Sequence, residues 1–186
     1  MLILGGLLAL AVGWYAGGRL SRFEGAGLRL LLLPVLALAL QRAAALFSPE
    51  PYSIWGWTLL PASYLLLFAF LWFNRHLRKT ALLMGLGSLC NLAVIAVNGW
   101  RMPVARSALA VLSPEGAASL LAGRVPMYCA AGGSTRLLFL GDIFYCPIPF
   151  FQGFASVGDI LLALGLFFGL MAVMNPERLP RWLKAG

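Results

Sequence analysis

Two aspartates, Asp142 and Asp159, are the residues of this sequence best suited to chemistry. Two carboxyl groups held close together do not both ionise readily, so one keeps a proton while the other can draw one from water. That is how an aspartyl hydrolase works. Each residue also has an ordinary structural role open to it. Ser156-Val157-Gly158-Asp159 has the spacing of a capping box, and Gly141-Asp142 suits a turn. Other polar residues cluster towards the same region. Asn91 and Asn98 are seven apart, which places them on one helix face two turns apart. With Gln41, Arg42 and Arg101 they form a candidate pocket around the aspartates. The three cysteines, Cys90, Cys129 and Cys146, and the single histidine, His76, have no metal-ligand spacing, and no cofactor motif is present. Neither a metal nor a cofactor is expected. Cys129 and Cys146 are open to two readings, a disulfide or two small buried apolar residues.

These polar groups have to be positioned by an unusually apolar chain. Of 186 residues 61% are hydrophobic and 11% charged, and the mean hydropathy is +0.89. A soluble domain of this size could not bury so much apolar surface. The composition excludes an ordinary cytosolic enzyme and a disordered chain. Fourteen basic residues against six acidic give +8, but no dense basic stripe appears, so nucleic acid is not an expected partner. The expected fold class is an all-α integral membrane protein, a single domain over residues 1–186.

A crossing takes about 20 mostly apolar residues. Five segments qualify: Leu2–Gly18, Leu28–Phe47, Ile54–Phe73, Ala81–Asn98 and Val157–Met174. They predict a five-helix transmembrane bundle, with a long outer segment (99–156) between spans four and five and a tail over 175–186. The first span is short and Gly-containing; it lacks a preceding Lys or Arg and a clear cleavage site, so it reads as a span and not a secretory signal. Arg19, Arg22 and Arg29, then Arg75, Arg78 and Lys79, then Arg178, Arg181 and Lys184 fall on one side of such a bundle. The positive-inside rule then puts the bundle in the plasma membrane with the N-terminus outside and the C-terminus in the cytoplasm. Trp55, Trp57, Trp72, Trp100 and Trp182 lie near span ends, where interfacial anchors belong. Gly13/Gly17 and Gly165/Gly169 have the small-xxx-small spacing of closely packed helices.

Within the outer segment, Ser113-Pro114-Glu115 predicts a short helix over Pro114–Ala122. Cys146-Pro147-Ile148-Pro149-Phe150-Phe151 excludes a regular helix and favours an extended or re-entrant stretch. In the tail, Asn175-Pro176 predicts a cap and first turn for a short basic amphipathic helix.

Asn91, Asn98-Gly99-Trp100-Arg101-Met102-Pro103-Val104, Gly141-Asp142-Ile143 and Ser156-Val157-Gly158-Asp159-Ile160 resemble an uncharacterised bacterial family of small multi-pass membrane proteins. That resemblance implies membrane location and no activity. A local one is to lipoprotein signal peptidase. Gly85-Leu86-Gly87-Ser88-Leu89-Cys90-Asn91-Leu92, Leu140-Gly141-Asp142-Ile143-Phe144 and Phe154-Ala155-Ser156-Val157-Gly158-Asp159 are similar to three of its elements. It implies Asp142 and Asp159 as the catalytic pair and Asn91 as a pocket asparagine. The Asp-Arg pair of that family after Asn91-Leu92 is absent, as is the asparagine of its last element, so what is implied is a related fold with another substrate.

Two functions follow as expectations. The first is a non-catalytic module that binds a lipid or hydrophobic ligand, or serves as a subunit of a membrane complex. The alternative is an aspartyl-dyad hydrolase acting on a lipid-linked or membrane-embedded substrate. Solute transport is disfavoured, since no acidic residue falls at mid-span and no inverted repeat is visible.

Overall fold

The computed structural model describes residues 1–47 and 54–184. The side chains of Trp55 and Lys184, expected at the interface and in the basic tail, lie outside the described residues. The chain is mostly helical. Helices α1 (Leu2–Tyr15), α2 (Leu32–Phe47), α3 (Ile54–Phe73), α4 (Arg78–Val97) and α6 (Val157–Met174) form the body. A short α5 (Pro114–Leu121) lies in the outer segment and α7 (Arg181–Lys184) in the tail. Three helices, α3, α4 and α6, are long and apolar enough to cross a membrane. Two segments expected as spans are shorter. At 1.5 Å per residue, the 14 residues of α1 and the 16 of α2 reach only about 21–24 Å. The chain turns sharply after α1, where a 3₁₀ helix over Leu20–Ala26 departs at 102°. Before α2, Leu30 adopts a positive φ of 53°, which a helix from Leu28 cannot contain.

α4 lies between its neighbours: it packs against α6 on one side and α3 on the other, with α1 beyond α6 and α2 beyond α3. Glycine sets the closest approaches. A Cβ on Gly87 would stand 2.6 Å from Gly158 O, so the α4–α6 crossing admits no side chain there. Gly165 and Gly169 face Met84 and Thr80 of α4, and Gly13 faces Met171 and Met174 of α6. Gly17, paired with Gly13 in the sequence motif, instead has φ 82° and makes a turn. One core cluster, Leu60, Tyr64, Val94, Ile95 and Met102, joins α3 and α4 to the outer segment; another, Ala9, Met171 and Met174, joins α1 to α6.

The outer segment is not helical throughout, which corrects the all-α expectation. β1 (Met102–Val104) and β2 (Tyr128–Ala130) pair in parallel, with Met102 opposite Tyr128, and α5 lies in the crossover between them. β3 (Phe144–Cys146) and β4 (Gly153–Ala155) form an antiparallel hairpin. The prolines explain the change, since Pro103, Pro126, Pro147 and Pro149 cannot donate to a helix ladder, and a three-residue strand satisfies the neighbouring amides. α5 starts as expected, Ser113 Oγ accepting from Gly116 N at 3.1 Å.

The inter-helix segments that carry the basic residues meet one another. Arg22 pairs with Glu177 at 2.6 Å and donates to Asn175 O, and Arg19 N donates to Met174 O. Asn74 accepts from Arg29 N and donates to Arg29 O, while His76 Nε2 lies 3.0 Å from Ala26 O. Lys79 reaches Trp182 O. Asn175 ends α6 in the left-handed region at φ 40°, so it is not the cap of a following helix; α7 begins only after Pro180.

Candidate functional site

Both aspartates face one cavity of about 380 Å³ between the α2–α3 pair, the α4–α6 pair and the outer segment. Asp159 sits on the first turn of α6, and the capping box places it there: Asp159 N donates to Ser156 Oγ at 2.9 Å, and Ser156 N donates to Asp159 Oδ2 at 3.2 Å. The other oxygen, Oδ1, accepts from Asn91 Nδ2 at 2.9 Å. Asn91 Oδ1 in turn accepts from Ser156 Oγ at 2.8 Å, so α4 and the start of α6 are locked together. The capping role and the cavity-lining role therefore coexist in one residue.

Asp142 is placed by backbone alone. Its N–H donates to Pro103 O at 2.9 Å and its C=O accepts from Ala105 N at 3.0 Å, a bridge to the end of β1. The side chain is buried, 4% exposed, and its Oδ1 has no hydrogen-bond partner. Burial raises the Asp142 carboxyl to about 7, the Asp159 charge adds to the rise, and the N-terminal ammonium opposes it. Among the described residues, no hydrogen bond joins the two carboxyl groups, although both residues line the cavity.

Gln41 and Arg42 of α2 line the same cavity, as do Tyr64 of α3 and Tyr128 of β2. Burial raises the Tyr128 phenol first, then Asp142 and Asp159 add to it, with Arg42 pulling the other way. The rest of the wall is apolar: Leu38, Ala45, Leu60, Ile95, Met102 and Met127. Two candidate pocket residues lie elsewhere. Asn98 accepts from Arg136 N at 3.0 Å and donates to Arg136 O and Val94 O, so it ties the outer segment to the end of α4. Arg101 donates to Gly123 O at 3.3 Å, beside the left-handed turn that ends α5. Arg101 also lowers the Cys129 thiol against the larger upward effect of burial. Cys90, Cys129 and Cys146 are free thiols, so the disulfide reading is withdrawn.

Tyr64 and Tyr128 escaped the sequence reading. A phenol within an apolar span was a usable signal for Tyr64, because hydrocarbon leaves its hydroxyl unsatisfied. Nothing near Tyr128 in sequence marks it, because its place depends on the register of β2 on β1.

The model of a family of unknown function, DUF5317, matches residues 26–171. The chain belongs to DUF5317. The match includes α2, α3, α4, the whole outer segment and most of α6, and so every residue lining the cavity in DUF5317's representative here. No curated protein and no solved structure matches the chain.

Proposed function

We propose that the protein is a multi-pass membrane protein that holds an amphipathic, lipid-derived ligand in the cavity beneath its outer segment. Five crossings fit the arrangement. α1 runs parallel to α6, with Gly5 against Ala163 and Gly13 against Met174, and α2 runs from the basic side at Arg29 to the cavity at Gln41 and Arg42. The basic segments then lie in the cytoplasm and the cavity opens at the outer leaflet of the plasma membrane. The observation that carries the binding reading is the unsatisfied Asp142 oxygen inside a cavity that is apolar on its remaining wall. A buried polar atom without a partner costs about 1–3 kcal/mol, which a bound head group with a donor would recover. Arg42, Gln41 and Tyr128 would hold the polar end, and Leu38, Leu60, Ile95 and Met127 the apolar part.

The test is to extract the protein in mild detergent and identify retained molecules by mass spectrometry. The wild type is expected to retain an amphipathic species that Ala45→Phe, which fills the cavity, and Asp142→Leu lose. Equal retention by all three proteins would refute the site.

The two aspartates favour a second reading, hydrolysis of that ligand. Asp142 keeps its proton up to about pH 7, and Asp159 lines the same cavity. Asp159 would take a proton from water as the water oxygen adds to the scissile carbonyl, and Asp142 would give its proton to the leaving group. Asp142→Asn and Asp159→Asn would then each accumulate uncleaved substrate in cell membranes while remaining folded. Loss of folding alone would leave the capping role as the whole explanation for Asp159.

A further inference from the structure

A second concavity lies at the opposite end of the α3–α4 pair, in a place the outer cavity does not reach. It encloses about 480 Å³ and is lined by Phe68, Leu71, Trp72, Ala81, Leu82 and Gly85, with Arg75 and Arg78 at its rim. We infer that this groove is a binding site for one anionic phospholipid of the leaflet on the basic side, with its phosphate on Arg75 and Arg78 and an acyl chain along Phe68, Leu71, Leu82 and Gly85. The inference rests on the membrane embedding proposed above and is independent of the outer cavity's ligand.

Charge and shape agree on the occupant. Only a four-residue turn separates α3 from α4, so Arg75 and Arg78 stand together at the helix ends. No carboxylate lies within ion-pair distance of either arginine among the described residues. The Arg75 guanidinium stacks over Trp72 at 4.6 Å from the ring centroid, which orders it while leaving its edge free for phosphate oxygens. Arg78 opens α4, where backbone N–H groups add a favourable field for an anion. Gly85 lies seven residues further along α4, about 10 Å deeper into the hydrocarbon. A Cβ there would meet only Leu71 Cδ1, at 3.8 Å. Gly85 is thus the floor of an open slot and not a helix-packing glycine like Gly87 two residues on. A slot with paired cations at the interface and an apolar floor below matches one lipid in both head and tail.

The protein would be reconstituted into nanodiscs containing equal phosphatidylglycerol and phosphatidylcholine, released into detergent, and examined by native mass spectrometry. The expected result is retained phosphatidylglycerol at about a tenfold preference, and Arg75→Gln/Arg78→Gln is expected to abolish that preference, a tenfold change being about 1.4 kcal/mol. Gly85→Phe, which blocks the slot without altering charge, is expected to lose the lipid as well. Leu82→Trp, at an exposed position on the same wall, repeats the blockade should Gly85→Phe fail to fold. Equal retention of the two lipids would overturn the site. So would normal retention by the blocked variants, which would leave only a diffuse attraction to the basic face. Loss of the outer-cavity ligand in Ala45→Phe, with phosphatidylglycerol unchanged, keeps the two proposals separate.

Discussion

Asp142 and Asp159 differ less in chemistry than in what their neighbours donate. Asp159 has Asn91 Nδ2 and Ser156 N; Asp142 Oδ1 has nothing. The consequence for Asp142 is a stability that depends on pH with a fixed sign. Its folded carboxyl sits at about 7 against an ordinary 3.8, so the folded state holds the proton more tightly than the unfolded chain does. Stability attached to this group is complete below about pH 4, declines as pH rises towards 7, and stays at the lower level above it. Asn has the shape of the protonated acid and does not titrate. Asp142→Asn is therefore expected to raise the melting temperature by several degrees at pH 8, where it removes the cost of ionising a buried carboxyl group, and to change little at pH 4.5. Thermal melts in detergent across pH 4.5–8 measure it. A variant that is destabilised equally at both ends would show that Asp142 serves the fold through contacts and not through its proton.

At the scale of elements, two glycines on α4 should behave oppositely although only one residue separates them. Gly87 faces Gly158 and Leu162 with no room for a methyl group, whereas Gly85 faces the open groove. Gly87→Ala must push α6 away and is expected to lower the melting temperature by about 5 °C, an overpacking cost of roughly 1–3 kcal/mol. Gly85→Ala should be neutral or slightly stabilising, since alanine is the better helix former. Paired melts of the two variants decide it. The same contrast shows which features were legible in the sequence. α3, α5 and α6 carry their signals locally, in uninterrupted hydropathy, in Ser113-Pro114 and in Ser156-x-x-Asp159, and the chain folds as those signals say. Gly165 and Gly169 pack as their spacing suggests, but Gly17 turns the chain and Gly87 makes a close backbone crossing with no partner glycine four residues away. A spacing rule names a small face; which neighbour comes to lie on it is a tertiary fact. For the same reason Gln41, Arg42, Asn91, Asp142 and Asp159 could be grouped by their nearness to the outer ends of the expected spans, whereas Asn98 and Arg101 lie just as near and spend their hydrogen bonds on Arg136 and Gly123 outside the cavity. Their direction is set by the strands of the outer segment, and three-residue strands leave almost no periodic signal.

For the whole molecule, the number of crossings turns on α1 and α2, which are too short for an unperturbed bilayer of about 30 Å. Helices of 14 and 16 residues can still cross where the bilayer thins or flanking residues snorkel. The proposed five crossings require that they do. α1 lies along α6 from Ala163 to Met174, and the N-terminal ammonium is near enough to Asp142 to act on its carboxyl. Met1 and the cavity therefore share one side, while Arg22 and Glu177 share the other. A protein with Cys90, Cys129 and Cys146 replaced by alanine, carrying one new cysteine at a time, tests this in intact cells with a membrane-impermeant maleimide. Phe150→Cys, at the fully exposed tip of the β3–β4 hairpin, and Leu2→Cys should both label from outside. Arg178→Cys should label only after lysis. Labelling at 150 with protection at 2 would keep α6 as a span and turn α1 into a re-entrant segment, because the bend after Tyr15 then returns the chain to the side it came from. Labelling at 178 in intact cells would invert the molecule, placing the basic segments outside against the charge rule and the aspartate cavity towards the cytoplasm.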